Sequence, residues 1–200
     1  MQVIKTEVAT VVKFPSILEG CDSETVEARK PELKLMAQTC GASALWLSQA
    51  ALDAAVVAAV NATAEEKEVL GSLKQGYFVF MYEDIMGCLS QTHQDAILEH
   101  ELSHVRMGHI PPKQGTGTDI TILDQLQYEL VADSLSAKRH GRETMRDALI
   151  KTLHSFAKSM AKIALIKGKL PVENVPAAED EIFSHMLRDS RVAARIRALS

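Results

Sequence analysis

Apolar and polar positions change rhythm along this 200-residue chain. Near the start, Val3, Ile4, Val8, Val11 and Val12 form a β-prone stretch closed by Pro15 and Gly20, and Pro31 to Cys40 reads as a short helix stopped by Gly41. From Ala50 to Ala59 the alanines favour helix while Val56, Val57 and Val60 suit a strand, so periodicity leaves that stretch open. Tyr77 to Tyr82 is an unbroken apolar run between Gly76 and Glu83-Asp84, the pattern of a strand covered on both faces.

Beyond residue 90 the pattern turns helical. Thr92 is the expected N-cap of a helix that carries Ala96, Ile97 and Val105 and stops at Gly108, Pro111 and Pro112. Lys113 to Thr118 reads as a loop, and a second helix follows from about Ile120 or Asp124 to His140, ended by Gly141. A third begins near Arg142 and spaces Met145, Leu149, Leu153, Phe156, Met160 and Ile163 by three and four. Lys151, Lys158, Lys162 and Lys167 form its solvated side, and Gly168 and Pro171 end it. A last helix is expected from about Ala178 to Leu199, with Pro176 just upstream. No repeat or low-complexity tract divides the chain.

Composition narrows the function. With 46% apolar and 24% charged residues the chain can build a packed core, and a formal net charge of −4 offers no basic field for nucleic acid or an anionic membrane. The most apolar stretch, Ala44 to Val60, contains Ser48, Gln49 and Asp53 and falls short of the roughly 20 residues of a membrane span. Lys5, Glu7 and Lys13 interrupt any signal-peptide-like apolar region. Cys21, Cys40 and Cys88 are widely spaced with no CxxC pair, as expected of reduced thiols in a cytoplasmic protein.

The chemistry is concentrated in His100-Glu101-Leu102-Ser103-His104, an HExxH motif inside the first of these helices. Residues four apart share a helix face, so His100 and His104 can offer two imidazole nitrogens to one tetrahedral Zn²⁺, with Glu101 beside them to take a proton from a bound water. Five such letters arise by chance in roughly one or two of a hundred chains of this length, so a third ligand decides the matter. Glu129 and Asp133 stand four apart in the next helix, the ExxxD arrangement of gluzincin peptidases. Glu129 is then the carboxylate ligand, and Asp133 the group that orients a ligand imidazole. The alternative is a pair of surface carboxylates on an amphipathic helix. A metzincin arrangement is excluded by counting, because a third His six residues after His104 is missing. His109 comes five residues after, about 140° around a continuous helix, and is expected to turn away from the ligand face as a helix-terminus His.

HELSHVRMGH, ELVAD and SHMLRDSR resemble the zinc endopeptidase family that contains the CAAX prenyl proteases and the bacterial heat-shock membrane protease HtpX. The resemblance covers roughly residues 76–197. It implies that His185, and Arg191 six residues later, reach back into the active site to hold substrate and oxyanion; Met186 stands where the family usually has proline. Integral members insert membrane helices between the second His and the Glu ligand, whereas only 24 residues intervene here, as in a minimal soluble member. On residue type alone, an oxyanion donor is chosen from His93, His109, His140, His154 and His185. Helix-end or boundary roles are the default for the other four, and it is the resemblance that puts His185 ahead of them, with a solvated helix face as its alternative.

The expected fold is α+β and zincin-like, mostly helical with a small β-sheet beside the HExxH helix. Residues 76–200 would form the catalytic domain, and residues 1–75 an N-terminal part of the same domain, regulatory or capping in role. The expected activity is zinc-dependent endopeptidase hydrolysis of protein or peptide substrates, with one Zn²⁺ per chain. The alternatives are a catalytically silent binding or regulatory protein and a metal-dependent hydrolase of non-peptide substrates. Two further expectations concern the site's surroundings. Tyr77–Tyr82 is either the edge strand against which an extended substrate pairs or a central strand. Cys21, in a Gly20-Cys21-Asp22 loop, is a remote candidate for a latency ligand on the metal.

Overall fold

A computed structural model describes residues 1–58, 63–110 and 122–200. The Lys113–Thr118 loop expected from sequence lies outside the described residues. The elements that build the sheet and its cover are β1 (Gln2–Lys5), β2 (Thr10–Phe14), α1 (Ser23–Ala28), α2 (Lys30–Gln38), β3 (Ala42–Leu47), α3 (Gln49–Ala58), α4 (Ala64–Ser72) and β4 (Gly76–Tyr82). The helical half follows with α5 (Glu83–Met86), α6 (Gln91–Arg106), α7 (Ile122–His140), α8 (Arg142–Ile166), a 3-10 turn at Val172–Asn174, α9 (Val175–Arg188) and α10 (Ser190–Leu199). This is an α+β, zincin-like architecture with a small mixed sheet.

The strand order is β1-β2-β4-β3, with β2 and β4 parallel and the outer pairings antiparallel. The aromatic run 77–82 is therefore a central strand, and the edge beside the HExxH helix is β3, a segment between Gly41 and the Ala-rich stretch that apolar spacing does not mark as a strand. Alternation explains both assignments. In β2 and β4, Val11, Val79 and Met81 face a core that includes Ile97, Leu102, Met145, Leu149 and Leu153 of the helices, while Val12 and Phe78 face Leu52 and Leu73 of α3 and α4. Covered on both faces, β4 has no polar alternation to show. The stretch after Gln49 resolves as helix through Ala58.

Two helix ends differ from expectation. Ser90, not Thr92, caps α6: its backbone is extended and its hydroxyl accepts the His93 N–H. The expected single helix 178–199 is two helices, because Asp189 leaves helical geometry (ψ 127°) and its carboxylate accepts the N–H groups of Arg191 and Val192. The break redirects α10 so that it packs on α7 and α8. Among the described residues, no helix is long and apolar enough to cross a membrane.

The junction of sheet and helices is pinned at Asp84. Its carboxylate accepts from Ser16 Oγ (2.6 Å), Ile17 N (2.7 Å) and Leu18 N (3.0 Å), while Ser159 and Ser155 of α8 donate to the carbonyls of Asp84 and Ile85. At the entry to β3, Gly41 has φ +91°, and a Cβ there would stand 2.6 Å from the Ile85 side chain. Gly41→Ala is therefore expected to cost at least about 2 kcal/mol through left-handed backbone strain and overpacking, read as a lower urea midpoint with unchanged m.

Candidate metal centre

Small residues let α6 and α7 approach closely: Ala96 and Ala132 have no exposed surface, and the buried Ser136 hydroxyl donates to the Ala96 carbonyl at 2.7 Å. This contact sets the register between the HExxH helix and the ExxxD helix. It brings three side chains into a triangle: His100 Nε2 and His104 Nε2 stand 3.1 Å apart, the first 3.3 Å from Glu129 Oε2 and the second 3.4 Å from Glu129 Oε1. Ligands held at about 2.0–2.1 Å around a tetrahedral Zn²⁺ stand about 3.3–3.4 Å apart, so the donor set and its spacing fit that ion. Among the described residues, this is the group of three whose donor atoms lie close enough to hold a metal.

Around the triangle, a side chain stands behind the other nitrogen of each imidazole. Asp133 Oδ1 lies 2.9 Å from His100 Nδ1, close but bent away from the ring N–H axis, so the buried Nδ1 has no well-aligned hydrogen bond. Behind His104, the partner is His109, whose Nδ1 is 3.1 Å from His104 Nδ1. Sequence counting had turned His109 away by continuing the helix, but α6 stops at Arg106. Gly108 takes φ +69°, and the amides of Gly108 and His109 fold back onto the carbonyls of Val105 and His104. That turn returns the His109 ring to the ligand face, where it stacks on Tyr128 at 4.2 Å and 12°.

One residue at the site went unnoticed in the sequence. Arg195, one of several arginines that make the last helix basic, forms two 2.8 Å hydrogen bonds to Asp133 and a 2.7 Å contact to Glu129. Its signal was indirect: two carboxylates four apart beside a cluster of imidazoles call for a cation once one of them, Asp133, is buried. Arg191, at the position the family resemblance favoured, is exposed and bonded to Asp189 on its own turn. His185 is an exposed residue of α9. Both line the same cleft of about 660 Å³ as the triangle, Glu101, Cys40 and the β3 residues Ala42–Ala44. Cys21 is not among the cleft's lining residues; its thiol donates to the Ile17 carbonyl.

Charge is distributed unevenly over these groups. Burial works against a charged His100, yet Asp133 and Glu129 hold its pKa up at about 9; burial and the neighbouring His100 pull His104 down to about 4. Burial would raise Glu129, but His100 and Arg195 keep it at about 2, and Arg195 and His100 hold Asp133 below the usual carboxylate range against the same penalty. A metal ion held by this cluster would displace the proton on His100. Glu101 behaves differently. Its Oε2 accepts the Ala44 N–H at 2.7 Å, and burial pushes its carboxyl pKa up.

The family model for peptidase family M48 matches residues 52–170, more than half of the chain. The protein belongs to peptidase family M48. This family includes the CAAX proteases and HtpX, and membership implies zinc-dependent proteolysis of protein or peptide substrates. Comparison with curated proteins and with solved structures gave no match. The M48 match spans the HExxH and ExxxD helices and ends before His185, Arg191 and Arg195, which line the cleft from beyond the matched region.

The M48 site depends on Arg195 for charge balance. Arg195→Met leaves Asp133, only 1% exposed, buried without its cation and is expected to lower unfolding free energy by about 3 kcal/mol or more. Arg191→Ala, at an exposed pair, is expected to change it by less than about 0.5 kcal/mol. Urea denaturation of the two variants beside wild type checks the contrast.

Proposed function

We propose that the chain is a gluzincin-type zinc endopeptidase, with one Zn²⁺ per chain held by His100, His104 and Glu129. The triangle of side chains carries this reading, because two imidazole nitrogens 3.1 Å apart each face one oxygen of the Glu129 carboxylate, at 3.3 and 3.4 Å, a donor set and spacing suited to Zn²⁺. Bound there, the ion supplies Lewis acidity, acidifying a water and polarising the scissile carbonyl.

The chain's own groups do the rest. Glu101, beside the ligands and with its pKa raised by burial, accepts a proton at its carboxylate and passes it to the leaving amine. Asp133 orients His100, and Arg195 fixes the carboxylates of Glu129 and Asp133 in one arrangement. An extended substrate lies along β3, the sheet edge on the cleft, whose outward backbone groups pair with it independently of sequence. Because the Ala44 N–H binds Glu101, the same strand that aligns the substrate also aligns the base. His185 and Arg191, which line the same cleft, donate to the developing oxyanion, Arg191 after leaving Asp189. In this reading residues 1–75 are working parts of the catalytic unit, since they supply β3 and Cys40 to the cleft.

Glu101→Gln is expected to retain zinc and lose cleavage of an unfolded protein substrate by at least about 10³-fold, a loss within the range attributed to general acid–base catalysis. Glu129→Ala is expected to lose the metal. Elemental analysis and a peptidase assay on both variants test the roles, and an active Glu101→Gln protein would overturn the mechanism. Zinc-loaded wild type that cleaves no protein would favour a binding role for the scaffold.

A further inference from the structure

Resting on the metal centre proposed above, we infer that His109 is a positioning residue: it holds His104 in the tautomer and orientation that a metal ion requires, and Tyr128 holds His109. His100 and His104 both aim Nε2 into the triangle, so each must present a lone pair there and carry its proton on Nδ1. A proton on a buried Nδ1 needs an acceptor behind it. For His100 that group is the Asp133 carboxylate; for His104 it is His109 Nδ1 at 3.1 Å. The His104 Nδ1–H donates, His109 Nδ1 accepts, and the proton of neutral His109 then sits on its Nε2.

Two independent features place that acceptor. The turn that ends α6 is built so that the residue two beyond the cap folds over the residue three before it, and those residues are His109 and His104. The reversal requires a left-handed residue between them, supplied by Gly108 at φ +69°. On its far side the His109 ring lies flat on Tyr128, the residue immediately before ligand Glu129. The stack therefore joins the end of the helix carrying two ligands to the turn carrying the third. His109 can act through both contacts, and substitution separates them. His109→Phe keeps an aromatic ring on Tyr128 and removes the acceptor. His109→Asn places a side-chain oxygen where Nδ1 was and removes the ring.

Zinc affinity, measured by competition with a chromophoric chelator on full-length wild type and on His109→Ala, His109→Phe and His109→Asn, tests the inference. Loss of a group that orients a metal-bound imidazole typically costs 10–100-fold in affinity. We expect a loss of about that size for Ala and Phe and recovery of most of it for Asn, with metal-free melting curves of the Phe variant close to wild type. Phe and Ala variants that bind zinc as tightly as wild type would overturn the positioning role while leaving the metal centre intact. Wild type that binds no zinc would overturn both. A Phe variant that restores affinity where Asn does not would also overturn it, because stacking rather than the hydrogen bond would then be responsible.

Discussion

Four ionisable side chains on two neighbouring helices, His100, His104, Glu129 and Asp133, are drawn together out of water, and that is tolerable only because a cation comes with them. Arg195 supplies it from the far end of the chain, bonded to both carboxylates while itself only 16% exposed. Burying the Asp133 carboxylate without a cation would be costly, so Asp133 and Arg195 leave water as a pair. Much of the helical half follows from that condition. Helix α10 must lie across α7 to deliver the guanidinium, and the break at Asp189 turns it there.

The sheet answers a different requirement. A peptide bond is hydrolysed at one point along an extended chain, so the catalytic helix needs a strand edge beside it. The β1-β2-β4-β3 order leaves β3 at that edge, and the hydrogen bond from the Ala44 amide to Glu101 joins the strand to the helix. Strand β4, the most apolar of the four, is buried in the middle, where its aromatic side chains support the edge without touching the cleft through their backbone.

Much of the metal centre was legible because its residues are close in sequence and helical geometry translates spacing into direction. The pairs His100/His104 and Glu129/Asp133 are each four apart, and the long helices show an uninterrupted period. Failures of reading occurred where that translation stops. His109 was placed by extending a helix through Gly108, although glycine is the residue that ends one, and the turn reversed the ring's direction. Arg195 was lost among Arg188, Arg191 and Arg197 because a basic helix face looks the same whether its charges meet water or carboxylates. Strand β3 has six residues of mixed size, and nothing in them distinguishes an edge strand from the helix that follows.

Local chemistry in the sequence alone determined the long helices α6, α7 and α8 and the two pairs of candidate ligands, since each depends on residues within a turn or two of one another. Tertiary structure decided which strand borders the cleft, which arginine neutralises the carboxylates and where His109 points. These are contacts between segments 57 and 62 residues apart or across a chain reversal, and no spacing in the sequence encodes the distance between two elements that meet only after packing.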